Sequence, residues 1–127
     1  QKDQTIKKEK PRTKQKKKAA YKKSKAINLK SDIDSIYTST EKAARWYKTS
    51  VSSTKKRKAV TLSKDSVGGG FKFCVYQKGK RLKTVKVTKN DKVKTVKLPK
   101  KKGAYYVKVT KLTSKTTGAY YLGTYIY

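Results

Sequence analysis

The sequence contains no histidine and no methionine. Without histidine it lacks the side chain that titrates nearest neutrality, and so the usual general base, the usual activator of a serine or cysteine nucleophile and the commonest transition-metal ligand. The seven Asp and Glu among 127 residues do not replace it. They are scattered through an excess of Lys that favours the ionised form, so a carboxylic acid with a raised pKa is not expected. The single cysteine, Cys74, has no partner for an intramolecular disulfide, and cysteine usage is silent on the compartment. No apolar run approaches the roughly 18 residues of a membrane-spanning helix. These absences point away from an enzyme and imply no cofactor and no metal.

What is abundant is positive charge. Thirty-seven Lys and Arg give a formal net charge of +30. A field of that sign around a small protein concentrates anionic polymers and speeds their encounter whatever the fold, so the expected partner is a polyanion. Cell-wall polymers such as teichoic acid, sulfated glycans, nucleic acid and anionic lipid surfaces all satisfy it.

The charge is not spread evenly. Residues 1–30 hold thirteen Lys or Arg against Asp3 and Glu9, a net of +11, with no hydrophobic periodicity. Self-repulsion and ordering entropy have nothing to oppose them there, so the segment reads as a disordered basic arm, with residues 31–127 as the folded domain. Within the arm, Lys14, Lys16, Lys17, Lys18, Lys22 and Lys23 are candidate polyanion contacts. The chain begins at Gln1, which fits a mature secreted chain after signal-peptide removal, the preferred reading, and also a trimmed one. Between Ile27 and Ala44 the apolar residues are irregularly spaced, which suits a short helix or an extended lead-in. Asp32-x-Asp34 lacks the further oxygen ligands of a calcium loop and reads as a helix cap or turn.

After Arg45 the period is two. Phe71, Phe73 and Val75 alternate with Lys72, Cys74 and Tyr76; Val85 and Val87 flank Lys86; Val96 and Leu98 flank Lys97; Tyr105, Val107 and Val109 alternate with Tyr106, Lys108 and Thr110. Each run predicts a strand with one dry face. Similar runs at 45–51, 58–63 and 119–127 bring the count to about seven, separated by Gly-, Pro- and Asn-containing turns. The expectation is an all-β, antiparallel, jelly-roll-like sandwich of about seven to eight strands. Lys72, Lys86, Lys97 and Lys108 then project from the polar faces of four strands, as polyanion contacts and as guards against edge-to-edge aggregation.

The remaining motifs read as structural. Ser53-Thr54-Lys55-Lys56 has the Ser-x-x-Lys spacing of serine acyl-enzymes, but Lys is so frequent that chance supplies it. Cys74 sits mid-strand and reads as a packing residue. Gly68-Gly69-Gly70 lacks the Lys-Ser/Thr ending of a phosphate loop and reads as a flexible turn. Six tyrosines fall in the last two predicted strands, and strict alternation places about half of them outside the core. Tyr106, Tyr121 and Tyr125 are therefore candidates for stacking on sugars or single-stranded bases, with cross-strand pairing the simpler role.

From residue 33 onward the succession of strands resembles the bacterial pre-peptidase C-terminal domain. Arg45-Trp46-Tyr47-Lys48 stands in the place of its aromatic first strand, and Phe71–Tyr76 with the Lys78-Gly79-Lys80 turn is similar to its central strand and hairpin. Val96-Lys97-Leu98-Pro99, Gly103–Val109 and Thr117–Leu122 resemble its later strands, the last two carrying Gly-x-Tyr patterns. The resemblance implies a β-sandwich acting as an extracellular, non-catalytic module that binds a polymer or assists secretion. Gly68-Gly69-Gly70 stands where members usually carry acidic residues, so calcium dependence does not follow.

The sequence thus predicts a secreted or cell-surface, bacterial, monomeric binding module for an anionic polymer, whether cell-wall polymer, sulfated glycan or extracellular nucleic acid. The alternatives are an intracellular nucleic-acid-binding protein, for which no zinc, helix-turn-helix or RNP signature is present, and a cationic antimicrobial or effector protein.

Overall fold

In the computed structural model, residues 7–8, 22–29, 33–38, 44–53 and 55–127 are described, with backbone alone for 7–8, 33–38 and 66–67. They form strands β1 (Lys7–Lys8), β2 (Ile27–Asn28), β3 (Ile33–Thr38), β4 (Ala44–Val51), β5 (Lys58–Gly68), β6 (Phe71–Gln77), β7 (Lys80–Val87), β8 (Val93–Lys97), β9 (Gly103–Lys111) and β10 (Thr117–Ile126). One sheet has the order β1-β3-β10-β5-β8 and the other β2-β4-β9-β6-β7. The eight longer strands pair antiparallel, and the two-residue strands add parallel rungs, β1 to β3 and β2 to β4.

From β3 onward the chain changes sheet at every connection except the β6–β7 hairpin. Lys78 and Gly79 close that hairpin with φ of 51° and 79°, the pair of left-handed conformations that matches strand twist in a two-residue turn. Each alternating run sends its dry face between the sheets. Tyr47, Val60, Leu62, Phe71, Phe73, Val75, Val87, Tyr105, Val107 and Leu122 are at most 1% exposed. Burying each of these side chains contributes about 1.5–3 kcal/mol. The tyrosines bring hydroxyls that need partners: Tyr47 and Tyr120 bond each other at 2.5 Å across the sandwich, and Tyr105 donates to the Lys101 carbonyl at 2.6 Å.

The structure differs from the sequence reading at Asp34 and at Gly70. Residues 33–38 are extended throughout, so Asp34 lies within β3 rather than in a helix cap; Asp32 lies outside the described residues. Leu29 is buried in the core and Ile27 packs against it. Arg45 faces inward from β4 at 4% exposure. Gly70 is a tightly packed position, not a loose turn. A Cβ there would stand 2.2 Å from the Val87 carbonyl oxygen, and the Gly70 carbonyl accepts from both Leu112 N–H and Thr116 Oγ1 at 2.9 Å.

Candidate cationic binding surface

β7 and β8 are the edge strands of the two sheets and lie on the same flank, joined by the turn at Thr88–Asp91. Asp91 fixes that turn by accepting Thr88 N–H and Thr88 Oγ1, each at 2.9 Å. The Lys64 ammonium bonds the Thr88 carbonyl, and Lys64 N–H donates to Lys92 O at 3.0 Å. The hydrogen bonds from Thr88, with lesser help from Lys94 and Lys64, hold the Asp91 carboxyl below its ordinary pKa. Residues 78–102 carry twelve basic groups against Asp91 alone, and every one of the twelve is exposed. The flank therefore holds a net +11, the same as the predicted arm, in fewer residues. An edge strand has one neighbour and leaves much of both faces to solvent, which is why β7 exposes Lys80, Arg81, Lys83 and Lys86 together.

The flank continues onto the outer face of the β2-β4-β9-β6-β7 sheet. Pairing places Lys72 directly opposite Lys86 on one side and Thr110 on the other. One step along, Trp46, Lys108, Cys74 and Thr84 form the next row, followed by Lys48, Tyr106 and Tyr76. Like charges facing each other across strands repel, and an anion laid between them relieves the cost. Aromatic rings and cations interleave here: Trp46 and Tyr76 are 5.4 Å apart, the Lys108 ammonium is 5.5 Å from the Trp46 ring and that of Lys23 is 4.8 Å from the Tyr106 ring. Each cation–π contact contributes about 0.5–1 kcal/mol at such sites. Burial, then the Cys74 thiol, raises the Tyr76 hydroxyl pKa, with Arg81 opposing. Cys74 itself is 6% exposed, its Sγ 3.5 Å from Thr84 Oγ1.

The structure thus unites Lys72, Lys86 and Lys108 on one face, with Lys23 and Tyr106 at its far side and Lys22 exposed nearby in sequence. Lys97 belongs to the other sheet, where it is exposed and 5.5 Å from the Tyr127 ring. Tyr121 and Tyr125 also lie on that sheet's outer side but are only 9% and 8% exposed, so they present little ring to a ligand. Lys14, Lys16, Lys17 and Lys18 lie outside the described residues. Strand-by-strand alternation missed Lys80, Arg81, Lys83 and Lys94, because it assigns one polar face per strand and an edge strand offers two, and it is silent on Lys78, Lys89, Lys92 and Lys100–Lys102, which lie in the connections between strands. Their density along the chain was the available signal.

Among the described residues no group of three or more His, Cys, Asp or Glu is placed to hold a metal ion, and no helix is long and apolar enough to cross a membrane. The fold is that of the pre-peptidase C-terminal domain. The structure matches that domain of a collagenase from Bacillus anthracis with a TM-score of 0.56 and 16% identity, covering 78% of this chain and 91% of that one. No protein-family model matches the sequence, and no curated protein is detectably similar to it.

Proposed function

We propose that this protein is a secreted or cell-surface, non-catalytic, monomeric module that attaches to an anionic polymer through its lysine-rich surfaces. The observation that carries the reading is the flank of twelve exposed cations around a single carboxylate, continuous with the Lys72/Lys86/Lys108 face. Lys far outnumbers Arg, and an ammonium is a point charge that neutralises phosphate or sulfate without the planar geometry needed to read base edges. Cell-wall polymer, sulfated glycan and extracellular nucleic acid all carry the repeated negative charge that such a surface attracts. The fold shared with a domain of a bacterial collagenase supports an attached, polymer-directed role.

The test is affinity for heparin and duplex DNA measured against salt, with and without residues 1–21. The shortened chain keeps every described core residue and a net charge of +23. On duplex DNA the slope of log K against log salt is expected near −0.9 per phosphate neutralised, about −4.5 for five contacts, and most of it survives truncation. Affinity that ignores salt, or a strong preference for one base sequence, overturns the reading. Complete loss of binding on truncation reassigns it to the arm.

A further inference from the structure

At one end of the sandwich, where β4 leaves its sheet and β5 begins, Val51, Ser52, Ser53, Lys56, Lys58 and Ile126 line a pocket of about 380 Å³. That is within the roughly 300–1,000 Å³ range of small-ligand sites. None of these residues belongs to the cationic flank or face. Ser53 and Lys56, three apart in sequence, both line this one concavity. The Ser53 hydroxyl oxygen accepts Lys55 N–H at 3.1 Å, a bond that leaves its own hydrogen to donate. The Lys58 ammonium is held in place by Thr49 Oγ1 at 3.3 Å and Ser50 O at 2.6 Å. The same pocket is lined by Val51, buried at 5% exposure, and by Ile126, a large hydrophobic 39% exposed in an otherwise heavily charged protein.

We infer that this pocket binds an organic phosphate monoester carrying a short apolar group. A monoester has a charge of about −1.5 to −2 at neutral pH and three strong acceptor oxygens. Two ammonium groups and two hydroxyls supply matching charge and donors, while Val51 and Ile126 take the apolar body. The absence of any histidine, and of a carboxylate among the described lining residues, makes this a binding site rather than an acyl-transfer centre despite the Ser-x-x-Lys spacing.

The experiment is a titration of the full chain with phenyl phosphate, followed by amide and methyl resonances at constant ionic strength, with inorganic phosphate as the second probe. The expected result is saturable movement of the Ser52, Ser53 and Lys56 amides together with the Ile126 methyls, and inorganic phosphate at least ten-fold weaker. Binding weakens as pH falls through the ester's second pKa, about 6. Lys56→Gln lowers affinity for both probes at least five-fold. Ile126→Ser, at an exposed position that leaves the fold intact, lowers affinity for phenyl phosphate alone. Equal binding of the two probes, or shifts confined to residues 78–102, overturns the inference. Failure of the protein to bind heparin leaves it standing, because the flank cations do not line the pocket.

Discussion

β7 and β10 are strands of similar length that met opposite fates. β10 runs between β3 and β5 at the centre of its sheet, carries no charged residue and is buried continuously from Ala119 to Tyr125. β7 lies at the edge of the other sheet, is half basic, and is buried only at Val87, with Val85 partly covered. A central strand in contact on both faces must satisfy every side chain internally, whereas an edge strand dissolves its charges and thereby blocks pairing with another chain. In this protein the aggregation guard and the proposed binding surface are the same residues.

The largest effect separates the two strands by stability. Leu122→Ala removes a fully buried side chain from β10 and is expected to cost about 2–5 kcal/mol in denaturant unfolding. Leu82→Ala in β7, where the side chain is 41% exposed, is expected to change stability by less than about 0.5 kcal/mol. Comparable losses at both sites would erase the distinction between them.

Next, changing Lys80, Arg81, Lys83 and Lys86 together to Gln should leave unfolding nearly unchanged while weakening heparin binding at least ten-fold. That corresponds to about 0.35 kcal/mol or more per lost contact, with a correspondingly shallower salt dependence. Undiminished binding would remove β7 from the interface.

A smaller effect lies in the tyrosines of the interior. Tyr105→Phe keeps the ring and loses the bond to Lys101 O, for an expected cost of about 1 kcal/mol. Burial raises the Tyr105 hydroxyl pKa, so stability tied to it is complete below the ordinary tyrosine value and lost as pH rises through the folded one. Tyrosinate absorbance during alkaline titration should show this group ionising late in the native protein and not in the unfolded one.

The smallest is at the turn between the two edges. The Asp91 pKa is depressed, so its contribution is present above the unfolded carboxylate value of about 3.9 and fades as pH falls through the folded one. The melting-temperature difference between Asp91→Asn and the parent should therefore be small near neutrality and vanish in acid. A difference that persists at low pH would assign the turn's stability to something other than the carboxylate.

Period-two alternation was enough to place seven strands, because a side chain that points the wrong way on a half-buried sheet costs more than local propensity can recover. It failed at β3, where Ile33 and Ile36 are spaced three apart and give no such signal. The net charge and the absence of histidine likewise follow from composition alone, and the expectation of a polyanionic partner rests on them without any coordinates. Tertiary structure decided the rest. Strand order determines which strands become edges, so it alone gathered the β7 and β8 cations on one flank, separated Lys97 from Lys72, Lys86 and Lys108, and enclosed Tyr121 and Tyr125 while leaving Tyr106 half-exposed beneath Lys23. Alternation along a chain tells which side of a strand is dry. Only the neighbours brought in from distant sequence determine whether the other side is wet.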